Sequence, residues 1–231
     1  MTEDLIYEHF ISVADNSPIP VIIYNNTFVT NIDISVDTLV KLAHHENIRG
    51  VKDTDNIKLA NMANQTKDLN FSVFAGSAGY LLSGLLVGCA GGINALSAVL
   101  GGPICELYDL AKAGKWEEAM KLQHRLVKPD VTVRNVLLMK EMGVPGVRAA
   151  MELYGYYGGR SRRPLPAALK PGGAEKIKQV LTEAGFLVPG VRAAMELYGY
   201  YGGRSRRPLP AALKPGGAEK IKQVLTEAGF L

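Results

Sequence analysis

Lys52 closes the short run "IRGVK" (48–52), and Asp53 follows it directly. An amine in this place has two readings. As an ordinary strand end it sits in solvent, where most lysines are found. In a partly desolvated pocket a lysine sheds its proton more readily, and the neutral amine attacks a carbonyl carbon to form a Schiff base. Once protonated, that imine is an electron sink: the bond beta to it breaks and the electron pair is held as an enamine. The surroundings of Lys52 decide between the two.

Those surroundings alternate strands with helices. "MTEDLIYEHF" (1–10) predicts an amphipathic helix with Thr2 as N-cap and Leu5, Ile6, His9 and Phe10 on one face. "IPVIIYNN" (19–26) is a β-branched run entered by proline and ended by Asn-Asn, hence a strand. "SVDTLVKLAHH" (35–45) has helical spacing, "IRGVK" is the second strand, and "NIKLANMANQTK" (56–67) is helical with Ile57, Ala60, Met62 and Ala63 on one side. "FSVFAG" (71–76) and "GCAGGIN" (88–94) supply two more strands around a short helix, "YLLSGLLVG" (80–88). Helices follow at about 95–113, interrupted near Gly101-Gly102-Pro103, and at 116–141, kinked at Pro129. This order predicts an α/β fold with about four parallel strands. Right-handed crossovers bring the C-terminal strand ends to one side. Tyr24, Lys52, Gly76 and Gly92 all fall at or near those ends, on the rim where a (β/α)8 barrel carries its catalytic groups. That shared rim favours the catalytic amine.

Composition narrows the remaining classes. The chain has 231 residues, 47% hydrophobic and 21% charged, with two cysteines and so no disulfide framework. His44, His45 and His124 lack a third ligand at metal-like spacing, so no metal site is expected. The N-terminus is acidic and has no apolar core of the signal-peptide kind. Leu69 to Cys105 carry no charge, and Gly84, Gly88 and Gly92 fall four apart, as small residues do in membrane helices. Turn signals break that run and no basic flank follows it, so a buried strand–helix–strand unit is expected rather than a membrane span.

Residues 144–187 recur without change at 188–231. Each copy carries seven Lys/Arg and three Glu, whereas residues 1–143 carry twelve Lys/Arg against sixteen Asp/Glu, so the formal charge of +4 comes from the second copy. The clusters Arg160 to Arg163 and Arg204 to Arg207 have no accompanying aromatic platform, and nucleic acid is not an expected partner.

"SPIPVIIYNN", "NIRGVKD", "FAGSAGYL", "GCAGGINAL", "KLQHRL" and "YGYYGG", in this order, resemble the dihydrodipicolinate synthase/N-acetylneuraminate lyase family over residues 1–187, and within it the animal-type branch that cleaves 4-hydroxy-2-oxoglutarate. The resemblance implies the C-terminal half of a (β/α)8 TIM barrel (1–113), a helical C-terminal extension (114–187) and an exact tandem copy of the extension's last part (188–231). It implies a Schiff-base aldolase with Lys52 as the imine-forming amine and Tyr24 as the proton shuttle. Ser77, Gly92 and Ile93 are implied to line the pocket of a small 2-oxo acid. It further implies no cofactor, a homo-oligomer (dimer or tetramer) and a mitochondrial location. The phenol suits its part, because the departing aldehyde's hydroxyl must give up a proton to a base within hydrogen-bond reach.

Three departures qualify the resemblance. The family's first four strands, with a Gly-rich turn bearing paired hydroxyls that holds the pyruvate carboxylate, have no counterpart here, so the chain alone is expected to be inactive or nearly so. After Tyr24 the family shows Tyr-Asn/Ser-Val-Pro, two variable residues and Thr-Gly; this chain keeps Thr30 but has Thr27 for the proline and Asn31 for the glycine. Val29 stands where dihydrodipicolinate synthases carry an arginine, which favours the aldolase over the synthase. The alternatives are another lyase or synthase of the family, such as a 2-keto-3-deoxy sugar acid aldolase, and a non-catalytic fragment partnering a full-length aldolase. The second repeat copy is expected to be peripheral.

Overall fold

In the computed structural model, which describes residues 2–134 and 143–187 together with 219, 222, 223 and 226, the β-branched run after Pro20 forms β1 (Val21–Asn25). The "IRGVKD" run forms β2 (Ile48–Asp53), "SVFA" forms β3 (Ser72–Ala75) and Gly91–Gly92 form the brief β4. All three pairings are parallel, and spatial order follows chain order, β1-β2-β3-β4. This is the singly wound arrangement of a barrel wall; a doubly wound sheet would reverse its strand order.

Helices fill the connections. α1 (Glu3–Asn16) precedes β1; α2 (Thr27–Thr30) and α3 (Val36–Leu42) lead to β2; α4 (Asn56–Gln65) leads to β3. A 3-10 turn (Ala78–Tyr80) and α5 (Leu81–Leu86) lead to β4, after which come α6 (Ser97–Lys112) and α7 (Trp116–Arg134). Caps mark the starts: Thr2 accepts from the Leu5 N–H, Ser35 from Thr38 and Asp55 from Ile57. Each such cap is worth roughly 0.5–2 kcal/mol. Inside α6, Leu100 departs from helical geometry at φ −116° and ψ 42°, in the turn where Pro103 has no N–H to give the chain four residues back.

Alternation along the strands separates two faces. Ile23, Val51, Val73 and Ala75 are buried, as are Leu39, Leu42, Leu59, Met62 and Leu81 of the helices. The other face carries Ile22, 48% exposed, and Tyr24, 50% exposed. One expectation for α4 is corrected. Leu59 and Met62 form its buried stripe, and Ile57 is 85% exposed, because two helical positions separate it from Leu59 and turn it to the opposite side. The uncharged stretch 69–105 is resolved into β3, α5, β4 and most of α6; among the described residues no helix is long and apolar enough to cross a membrane.

The chain divides into two compact units, Met1–Asp130 and Val131–Leu231. In the second, α8 (Gly143–Leu153) packs with α9 (Gly173–Glu183), burying Ala150, Ile177, Val180 and Leu181. The "GYYGG" turn is held by α8: Arg148 donates to the Gly158 carbonyl at 2.5 Å and Glu152 accepts from the Gly159 N–H at 3.1 Å. A Cβ on Gly158 would lie 2.1 Å from the Arg148 carbonyl oxygen, so the turn requires glycine there. Tyr154 donates to the Phe186 carbonyl at 2.7 Å, and burial, with Tyr156 nearby, pushes its phenol up to about 12. The end of the 116–141 helix and nearly all of the second repeat copy lie outside the described residues.

The two cysteines give a check on this packing. Cys89 is buried against Gly84, and burial pushes its thiol up to about 11, whereas Cys105 is exposed. A thiol-disulfide reagent near about pH 8 should label Cys105 rapidly and Cys89 only on unfolding, since the thiolate is the reactive form. Rapid labelling of both in the folded chain would contradict the burial.

Candidate active site

Parallel register places the sequence-predicted pair side by side. Tyr24 is the partner of Lys52 across β1 and β2, Lys52 the partner of Phe74 across β2 and β3, and Phe74 the partner of Gly91 across β3 and β4. One row of the sheet thus reads Tyr24, Lys52, Phe74, Gly91. The Lys52 Nζ lies 3.9 Å above the centre of the Tyr24 ring. A protonated amine in that position gains about 0.5–1 kcal/mol at an exposed site. The amine is therefore held against the phenol ring rather than trailing into solvent, and aromatic rings flank it in the row on both sides. Gly50, one step down the same face, leaves room for Phe74: a Cβ there would come within 3.3 Å of the ring and 2.5 Å of the Ser72 carbonyl oxygen.

The loop after β1 finishes the tyrosine's surroundings. Asn26 donates to the Tyr24 Oη at 2.8 Å, leaving the phenol's own hydrogen to point elsewhere. α2 follows at once and ends at Asn31, whose φ of 56° is left-handed. Asparagine tolerates that conformation better than any residue but glycine. Asn31 thus holds the bend.

On the opposite face of the same strand ends lies a buried polar cluster. Asn25 and Asp53, each next in sequence to a site residue, are 3% and 1% exposed. The Asn25 amide donates to Asp53 Oδ2 at 2.8 Å and to Asp33 Oδ1 at 3.1 Å. Lys58 pairs with Asp33 and donates to the Ile34 carbonyl at 3.0 Å. Partial burial works to raise the Asp33 carboxyl; the hydrogen bonds from Lys58 and Asn25 and the lysine's charge outweigh it and hold the group below its ordinary value of 3.8. The Gly76 N–H donates to the Asp53 carbonyl at 2.8 Å, tying the β3 rim to β2, and a Cβ on Gly76 would lie 2.7 Å from that oxygen.

The other predicted residues lie on the rim after β3 and β4. Ser77 is 1% exposed, and its hydroxyl donates to Asp130 of α7 at 2.5 Å while accepting from the Gly79 N–H at 3.2 Å. Gly92 pairs with Ala75, in the row of Asp53 rather than that of Lys52, and a Cβ on it would meet Leu81 at 2.8 Å. Ile93 follows, exposed, its N–H donating to the Ala75 carbonyl at 3.0 Å. α7 supports this rim a second time: Gln123 accepts from the Leu82 N–H and donates to the Ala78 carbonyl, both at 2.8 Å. Sequence reasoning passed over Phe74, Asn26 and the Asn25–Asp53 pair. Phe74 was legible from the two-residue period of "FSVFAG", and the asparagines carried only a strand-stop signal. Among the described residues no group of three His, Cys, Asp or Glu is placed to hold a metal.

With this geometry in view, similarity to known proteins becomes specific. The dihydrodipicolinate synthetase family matches residues 1–184. The chain is 32% identical over 183 residues to a 4-hydroxy-tetrahydrodipicolinate synthase of Streptococcus uberis, covering 79% of this chain and 58% of that one. It is 33% identical over 183 residues to a protein of Emericella nidulans named as a mitochondrial 4-hydroxy-2-oxoglutarate aldolase, covering 75% and 57%. A solved dihydrodipicolinate synthase of Bacillus anthracis, a TIM-barrel protein, superposes with a TM-score of 0.71 at 30% identity, over 79% of this chain and 61% of that one. The chain thus spans under two thirds of the length of these relatives.

The rim cluster has a pH signature. A carboxyl whose folded pKa is depressed contributes stability that is fully present above its unfolded value and lost as pH falls through the folded one. For Asp33 that window lies below 3.8. Lys58→Met should therefore cost stability at neutral pH, and the gap to the parent chain should narrow on acidification below about pH 4, as read by urea midpoints across the range. A gap independent of pH would refute the assignment.

Proposed function

The chain belongs to the dihydrodipicolinate synthetase family, and from that premise we propose that Lys52 and Tyr24 serve a class I aldolase that cleaves 4-hydroxy-2-oxoglutarate to pyruvate and glyoxylate. The observation that carries the reading is the Lys52 amine lying 3.9 Å over the Tyr24 ring at the C-terminal rim of a parallel sheet. The neutral amine adds to the C2 carbonyl, and loss of water gives an imine that is protonated. A base at the position of the Tyr24 phenol takes the proton of the C4 hydroxyl. The C3–C4 bond then breaks, glyoxylate departs with its new carbonyl, and the bonding pair becomes the enamine. Protonation at C3 and hydrolysis release pyruvate and restore the amine.

One further observation supports the aldolase over the synthase: Val29 offers no cation for a second carboxylate where the synthases carry arginine. The domain reading that accompanies this proposal is a barrel wall over 1–113 and a helical extension over 114–187.

Imine formation is the step to test. Borohydride reduction in the presence of pyruvate should leave a stable adduct on Lys52, located by peptide mass, and Lys52→Arg should abolish it. Tyr24→Phe should slow trapping by roughly 10²-fold, the smaller end of what a positioned proton-transfer group contributes. No adduct, or adducts spread evenly over other lysines, would sink the proposal.

A further inference from the structure

The site pair is held from behind. Tyr24 and Lys52 meet on one face of the sheet through a ring contact, with a hydrogen bond from Asn26 to the phenol; Tyr24 is half exposed and the other two are partly buried. Nothing in that contact fixes register strongly. Moreover, β1 carries an irregularity between Val21 and Ile22, where the partner shifts from Ile48 to Gly50, so strand length alone does not dictate which β2 residue faces Tyr24. The next register pair is Asn25 and Asp53, whose side chains alternate to the buried face. There the Asn25 amide donates to Asp53 Oδ2 at 2.8 Å.

Every side-chain polar atom of this pair has a partner. Asn25 uses one amide hydrogen on Asp53 and the other on Asp33, and its Oδ1 accepts from the Ile34 N–H at 3.4 Å. Asp53 accepts from Asn25 on one oxygen and from the Asp55 N–H at 2.7 Å on the other. A slip of one residue would carry Tyr24 to the far face and leave a buried carboxylate without its amide donor, which is the costly outcome. Lys58 and Asp33 anchor the pair at its outer edge.

We propose that Asn25 and Asp53 are positioning residues: their buried hydrogen bond sets the register that keeps the Lys52 amine over the Tyr24 ring. The catalytic consequence rests on the aldolase reading; the geometric claim does not. The readout is therefore one that needs no substrate. In NMR of the full chain with labelled lysine ε-methylenes, Lys52 should show an upfield ring-current shift that disappears in Tyr24→Leu. Asp53→Asn keeps the size of the side chain but leaves one acceptor oxygen for two donors, the Asn25 amide and the Asp55 N–H, and sets its own NH2 against whichever loses; it should weaken or abolish the shift while far-UV circular dichroism stays unchanged. The double variant Asn25→Leu/Asp53→Leu, which removes the buried bond without stranding either partner, should likewise lose the shift and serves as the deciding variant if Asp53→Asn does not fold. His45→Gln, which breaks a hydrogen bond to Asp15 elsewhere in the unit, should leave it alone.

Folded Asp53→Asn and Asn25→Leu/Asp53→Leu chains with the parent shift would overturn the proposal. Where pyruvate trapping occurs in the parent, Asp53→Asn should slow it on the order of tenfold or more, since small misplacements of reacting groups are expensive. Absence of trapping in the parent would defeat the aldolase reading and leave the ring-current result to decide the positioning claim.

Discussion

The register of β1 against β2 is the constraint on which the rest depends. Parallel strands present alternate residues to opposite faces, so one pairing decides two things at once. With Tyr24 opposite Lys52, an amine and a phenol share the open face, and Asn25 and Asp53 share the buried one. Had the pairing moved by one, the open face would hold an asparagine beside an amine, and a tyrosine would face the helices. The irregularity at Val21/Ile22 makes such a slip sterically accessible at the strand's start. The cost of stranding Asp53, a buried carboxylate, penalises it at the strand's end. A polar group in the core here adds specificity more than net stability, since its hydrogen bonds mostly replace those it had with water.

The rim beyond β2 is fixed by the same means at longer range. Gly76 reaches the Asp53 carbonyl, and the turn that follows is gripped by α7 through Ser77–Asp130 and through both ends of the Gln123 amide. The "KLQHRL" motif acquires a physical meaning from this. Leu122 and Leu126 bury the helix stripe, and Gln123 between them satisfies an N–H at the start of α5 that no helical carbonyl can reach. Ser77 attaches the rim to α7 in this structure, its hydroxyl donating to Asp130. A serine so engaged contributes to a pocket through its backbone and through the placement of its neighbours.

What was legible in the sequence follows from how local each signal is. The alternation of strands and helices, the Thr2 cap and the break before Pro103 are encoded within a few residues, and all are present in the structure. The position of Lys52 at a strand end was equally local. Its contact with Tyr24 was not, because it depends on register across 28 residues, and only the ordered motifs suggested it. The Asn25–Asp53 bond was hidden for a related reason: "NN" after a β-branched run signals a stop whatever its side chains do next. The inward side of α4 was misjudged because apolar residues lie all round its first turn, and burial chose Leu59 over Ile57. Ser77–Asp130 spans 53 residues and left no local trace.

The open face raises the last physical point. Sheets with all strands parallel normally have both faces covered, because their side chains are apolar on both. Here the helices bury Ile23, Val51, Val73 and Ala75, while Ile22 and Tyr24 on the other side remain about half exposed. In an eight-stranded barrel that second face becomes the interior, packed by layers of side chains below the catalytic rim. The chemistry proposed for the amine depends on such a covering. An ammonium group in bulk water keeps its proton, and desolvation is what makes a lysine nucleophilic near neutral pH. The four strands supply the geometry of the pair, the buried cluster behind them is proposed to keep it, and the dryness the proposed reaction requires would come from whatever closes over Ile22, Tyr24 and Phe74. Placement and activation of Lys52 are thus separable properties: the first is built into β1, β2 and their loops, and the second belongs to the covering of the opposite face.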